Sequence, residues 1–244
     1  MEKVNYGDIR ISGSGTSGGG RYNDVTISGS GKINGDIECI DFKTSGSSKV
    51  IGNVKAETIK VSGSARIEGN VETVEMKVSG SSHVTGQVKS QTLKISGSIH
   101  IEGSLYGEEV TIMGSAHIEK DCEVESFKAS GNFKIHGLLN AGQVNINLGG
   151  KSSVKEIGGE HIEVKVSIVD NFFLKKAIDK MFNTRGELTT ELIEGDEIYL
   201  ENTNANIVRG NNVTIGEGCN IGLIEYSGQI SVSNESIVKE QKKI

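Results

Sequence analysis

The chain has 244 residues, 33 of them glycine, with no proline, no tryptophan and a formal net charge of −6. That length allows one or two domains with a sizeable core. The acidic balance excludes the basic footprint of a general nucleic-acid binder, and no run approaches the ~18–20 apolar residues that span a membrane as a helix.

The charge is uneven: residues 186–244 hold ten acids and four bases and carry the whole excess. Cys39, Cys122 and Cys219 have neither paired nor metal-like spacing and read as reduced thiols of a cytoplasmic protein. The polar start, Met1-Glu-Lys-Val-Asn-Tyr-Gly-Asp, has no apolar signal region. Proline would remove N–H groups from sheet ladders, so its absence fits a chain in which nearly every N–H is paired.

In chain order, the first strand-like runs are Ile9-Arg-Ile11-Ser and Val25-Thr-Ile27-Ser. A repeat follows. Ser-Gly-Ser or a close variant places glycines at 29, 46, 63, 80, 97, 114 and 131, always 17 residues apart, with Gly13 one residue out of register. A fixed short period means a stack of equivalent units. With the motif glycine as position zero, +4 holds Ile33 to Ile135, +8 Ile37 to Leu139, +13 Phe42 to Val144 and +15 Thr44 to Ile146. Position +2 is mostly small, and +6 is glycine except at Lys120. Apolar residues two apart mark strands with one buried face, and the glycines mark corners. Seventeen residues therefore form one coil of a β-solenoid, with four apolar columns inside.

The strand continues at Val144-Asn-Ile146 and, after a one-residue slip, at Ile162-Glu-Val164. From about Val166 to Leu192 the pattern fails, and Ile168 to Phe182 reads as a helix of about four turns. Strand-like runs resume at 197–200, 212–215 and 229–232, spaced by 15 and then 17 residues. The expected organisation is a regular β-helix over 1–166, a helix-containing insert over 167–192 and a second, irregular β-helical segment over 193–244.

The candidate chemistry is sparse. Gly13 to Gly18 matches G-x-G-x-x-G, but a strand rather than a helix follows, so no dinucleotide site is expected. His83, His100 and His117 fall in one outward column at +3, a solvated charged face with Glu68, Glu102 and Glu119 beside it at +5, or a metal-binding column. Lys43, Lys60, Lys77, Lys94 and Lys128 form a column at +14: either a ladder for an anionic membrane or wall surface, or a soluble face that discourages sheet aggregation. Phe172, Phe173, Leu174, Met181 and Phe182 with nearby lysines form either an interfacial anchor or a plug on the open rim. No catalytic, cofactor-binding or metal residue is assigned, and an enzyme is not expected.

The tandem pattern resembles the bactofilins, the polymer-forming cytoskeletal proteins. It is clearest in Ile59-Lys-Val-Ser-Gly-Ser-Ala-Arg-Ile-Glu-Gly-Asn-Val71 and Leu93-Lys-Ile-Ser-Gly-Ser-Ile-His-Ile-Glu-Gly-Ser-Leu105. The resemblance implies a right-handed, three-sided β-helix. It implies a bacterial protein that assembles without nucleotide by end-to-end stacking, as a scaffold localising partners in cell shape, envelope or motility processes. Partners would be further copies of the chain, the inner membrane surface or envelope-associated proteins, with no nucleic acid and no small-molecule substrate. Uncapped solenoid ends give a physical route to the same mechanism. Ile9 and Ile11 at one rim and Ile230 and Val232 at the other are the expected contacts. The alternative is a monomeric binding module that uses the lysine column.

Overall fold

The computed structural model describes residues 6–166 and 186–244, and every regular element among them is a β-strand. The chain divides into two compact units, Met1–Cys122 and Glu123–Ile244. Each is a β-solenoid of parallel strands. The helix expected over 168–182 lies outside the described residues.

In the first unit a regular coil consists of a short strand and a long one, for example Ser64–Glu68 and Val71–Val78. The next coil lies in register on it: Val71 pairs with Val88, Met76 with Leu93 and Val78 with Ile95. Each step is 17 residues, whereas the first layer is offset by 16, with Ile9 on Val25 and Ser14 on Ser30. That offset accounts for Gly13 being out of register.

The structure buries six columns rather than four. Besides +4, +8, +13 and +15, the mostly small +2 residues (Ser48, Ala65, Ser82, Ala116, with Ile99) face inward, as do Cys39, Ala56, Thr73 and Ser90 at +10. The +10 column escapes a hydrophobicity pattern because Thr73 and Ser90 are hydroxylic and Gly107 has no side chain. Its hydroxyls find carbonyls beside them: Ser90 Oγ donates to Thr92 O at 2.8 Å, and Thr73 Oγ1 lies 3.0 Å from Glu57 O. In-out alternation slips between +10 and +13, where pairing also skips Val74 and Gln91. The long strand bends there, so each coil has three inward pairs of residues.

The motif glycines answer to stacking rather than to turning. A Cβ on Gly63 would sit 2.1 Å from Gly46 O, and one on Gly80 only 1.9 Å from Gly63 O. The backbone N–H after each glycine donates to the glycine carbonyl of the preceding layer, as Ser64 N does to Gly46 O at 2.8 Å. The ladder thus runs unbroken round this corner, at a spacing that excludes any side chain along the stack. At the +6 corner Gly52 has φ +146°, a conformation that also favours glycine. Just beyond it, a side-chain ladder forms at +7: Asn53 Oδ1 accepts from Asn70 N at 2.8 Å, and Asn70 Oδ1 from Gln87 N at 3.0 Å.

In the second unit the strand Asn132–Leu148 pairs with Lys151–Val166, Val144 lying on Ile162 as the one-residue slip requires. Lys151–Val166 then pairs with Glu187–Leu200, so the coils before and after residues 167–185 are adjacent layers. Residues 187–192, grouped with the insert on sequence grounds, are the start of that strand. The later registers follow the sequence spacing, with Ile198 on Val213 and Val213 on Ile230. A final strand, Ile237–Lys243, pairs with Asn220–Tyr226.

Charge lies on the outward columns. In the first unit Lys55 Nζ is 2.7 Å from Glu72, and Lys49 and Arg66 both meet Glu68, at 2.9 and 3.0 Å. In the second, Arg209 bridges Glu194 and Glu225 at 3.0 and 2.9 Å. Hydrogen bonds from Lys55, from Lys49 and Arg66, and from Arg209 hold Glu72, Glu68 and Glu225 below the usual carboxylate range.

Gly63→Ala is expected to cost about 1–3 kcal/mol, the usual cost of overpacking. Gly13→Ala, whose Cβ would meet nothing within 4 Å, is expected to be neutral or stabilising by up to about 1 kcal/mol; urea midpoints of the two variants check both. The carboxylates set the acid limit. Their folded pKa values lie below the unfolded ones, so their contribution is complete above about pH 4.3 and is lost as pH falls through the folded values. The melting temperature should hold between pH 7 and 5 and fall below about pH 4, less steeply at high salt because the pairs are exposed and screened.

Candidate assembly surfaces

The N-terminal layer is built from the strands Ile9–Ile11 and Ser14–Arg21. Each pairs on one side only among the described residues, the first with Asp24–Ile27 and the second with Ser30–Thr44. Of the two predicted rim residues here, Ile9 is buried and Ile11 is half-buried. The rest of the layer is mostly glycine and serine, with Arg10, Thr16 and Arg21. The absence of a side chain at Gly31 leaves room for Ile27 and Ile11, whose carbons would lie 2.8 and 3.2 Å from a Cβ there. Tyr22 lies against Gly20, and its hydroxyl is 3.3 Å from both Gly18 O and Gly19 O. The G-x-G-x-x-G run lies largely within the strand Ser14–Arg21 and leads into the strand Asp24–Ile27.

At the C-terminal layer, the predicted Ile230 and Val232 form the strand Ile230–Val232, seated on Val213 and Ile215 and half-buried. Beside them runs the strand Ile237–Lys243, which the sequence reading missed as part of this rim. Its signal was the 17-residue step that places Val238 on Ile221, masked by five polar residues after Val238. Ile237 is 64% exposed and Ile244 60%. Lys242 reaches Glu225 at 3.6 Å, and Lys243 lies over the Tyr226 ring. Neither of these strands pairs further among the described residues.

The lysine column is real in the first unit: Lys43, Lys60, Lys77 and Lys94 pair in register on successive coils. Lys128 belongs to the second unit, on the strand Cys122–Ala129. Acids from +12 interleave with the lysines. Lys43 pairs with Asp41 at 3.1 Å and Lys77 with Glu75 at 2.7 Å. The Lys77 hydrogen bond, with Lys94 and Lys60 nearby, holds Glu75 below the usual carboxylate range.

The histidine column is stacked. Ring centroids of His83 and His100, and of His100 and His117, are 4.8 Å apart, with planes tilted by 8° and 18°. Each histidine meets a glutamate at +5: His83 Nε2 lies 2.7 Å from Glu102, and His100 and His117 share Glu119 at 3.0 and 3.3 Å. Arg66 contacts the other ring nitrogen of His83 at 2.8 Å. No described helix is long and apolar enough to cross a membrane, and the anchor-or-plug segment lies outside the described residues.

Comparison with known proteins places this geometry. The chain is similar to Bacillus subtilis (strain 168) YhbE, an uncharacterized protein, with 56% identity over 237 residues, 96% of this chain and 97% of that one. It is 42% identical over 106 residues to YhbF of the same organism, also uncharacterized, a match spanning 43% of this chain and 41% of YhbF. A solved structure described as a possible adhesin C-terminal domain from Caldicellulosiruptor kronotskyensis aligns with 98% of this chain and 88% of its own, at 12% identity and a TM-score of only 0.34. The profile of the bactofilins, described as polymer-forming cytoskeletal, matches residues 3–89, the stretch that contains the first regular Ser-Gly-Ser coils. With its glycine-cornered parallel coils, the chain belongs to the bactofilin family of polymer-forming cytoskeletal proteins.

Proposed function

We propose that the chain polymerises without nucleotide by stacking its end layers on those of further copies, so that the parallel ladder continues from one molecule into the next. The observation that carries this reading is that, among the described residues, the end strands are paired on one side only, with half-buried Ile11, Ile230 and Val232 on them. Unpaired N–H and C=O groups next to apolar side chains are a template for another strand. Family membership supports a homopolymer, and the fold supplies the contact.

The finer features of the reading follow from the family. Three inward residue pairs per coil support a three-sided coil, and the family membership supports a right-handed helix. The polymer acts in the bacterial cytoplasm, at the inner membrane face, as a scaffold for partners in cell shape, envelope or motility. The alternative, a monomeric module for anionic surfaces, draws less support because Asp41 and Glu75 offset the lysines.

Purified chain without nucleotide should form filaments visible by electron microscopy. Ile11→Lys and Val232→Lys, which place a charge in an apolar contact, should shorten them severalfold while leaving the circular dichroism unchanged. Filaments of wild-type length in both variants would overturn the rim assignment. A wild-type chain that stays monomeric and pellets with anionic vesicles in a salt-sensitive manner would favour the module.

A further inference from the structure

The stacked histidine column takes no part in assembly through the rims. It has a geometry of its own at its C-terminal step. His100 Nε2 and His117 Nε2 converge on one oxygen, Glu119 Oε1, and the ligand atoms of the three residues all lie within 4.8 Å of one another. We infer that His100, His117 and Glu119 bind a divalent transition-metal ion of the zinc class, which clips two successive coils together.

The distances suit such an ion. Around tetrahedral zinc, with bonds of about 2.0–2.2 Å, ligand atoms stand about 3.3–3.5 Å apart. The two histidine–glutamate separations, 3.0 and 3.3 Å, are already close to this. Only the histidine–histidine edge must contract, by pivoting the rings about their side-chain bonds. The backbone is fixed beforehand: His100 pairs with His117 in the parallel ladder, and Glu119 N donates to Ile101 O at 2.9 Å. The three side chains are 34–39% exposed, so the ion enters from solvent and water completes its shell.

The donor set selects the metal. Two imidazoles and one carboxylate suit zinc, cobalt, nickel or copper and disfavour magnesium and calcium, which take all-oxygen shells. The neighbouring environment selects the step. His83 is held between the Arg66 guanidinium and Glu102, and a fixed cation on that ring opposes a dication beside it. The pair formed by His100 and His117 is the one left for metal.

Equilibrium dialysis of the metal-stripped full chain against Zn²⁺ tests the site and tolerates polymer. One high-affinity ion per chain is expected, unaffected by millimolar Mg²⁺, and Co²⁺ should give a visible spectrum of nitrogen and oxygen coordination. His100→Ala and His117→Ala should each weaken binding about tenfold or more, Glu119→Gln severalfold, and His83→Ala by less than about threefold. Circular dichroism checks that these exposed substitutions leave the fold intact. Wild-type affinity in either His100→Ala or His117→Ala, a loss in His83→Ala equal to theirs, or displacement of Zn²⁺ by Mg²⁺ would overturn the assignment.

Discussion

The close approach of one layer to the next at the Ser-Gly-Ser corner is the constraint on which each regular coil depends. The carbonyl of one motif glycine occupies the place where the Cβ of the next would be. Because the corner stacks this tightly, hydrogen bonding passes round it instead of stopping at each strand end. Each coil is then held to its neighbours along nearly its whole contour. Register, column identity and the stacking of outward side chains all follow from that lateral lock. A 17-residue coil has no folding unit smaller than its contact with the next, so stability is a property of neighbouring layers rather than of any layer alone.

Much of this was legible in the sequence, because a solenoid turns a sequence period into spatial adjacency. The histidines 17 apart become rings 4.8 Å apart, and the unequal spacings of 197–200, 212–215 and 229–232 are the observed registers. What stayed hidden was hidden for physical reasons. The +10 column is buried, yet Thr73 and Ser90 carry hydroxyls that satisfy themselves on local carbonyls, so composition does not betray it. The glycines looked like turn formers, whereas the reason they are invariant from coil to coil is contact between layers. Residues 187–192 looked irregular because strand Glu187–Leu200 lies on a partner 36 positions earlier, two residues more than twice the usual step of 17. The strand Ile237–Lys243 was missed because, after Ile237 and Val238, it is polar.

The rims and the flanks divide the labour. On the flanks, charge is cancelled locally: lysines and histidines meet acids of the same or the next coil. Such pairs contribute little stability individually, but they remove the repulsion that a column of like charges at layer spacing would bring. At the rims the chemistry differs. One offers mostly glycine, serine and two isoleucines, with Arg10 and Arg21; the other offers isoleucine and valine beside a lysine-rich edge strand. An edge that carries lysines resists indiscriminate pairing with other open strands.

The 36-residue step bears on what decides the order of the layers. Val166 is held by the Glu201 carboxylate at 2.8 Å, and Glu187 N is bonded to Gly150 O at 3.1 Å, so both edges of the step are fastened to neighbouring coils. Lys151–Val166 and Glu187–Leu200 therefore stack as adjacent layers with their ladder in register. The cost of closing a longer excursion grows only with the logarithm of its length. The ladder, not the number of residues between two strands, therefore decides which layer lies on which: steps of 15, 16, 17, 18 and 36 residues all give adjacent layers.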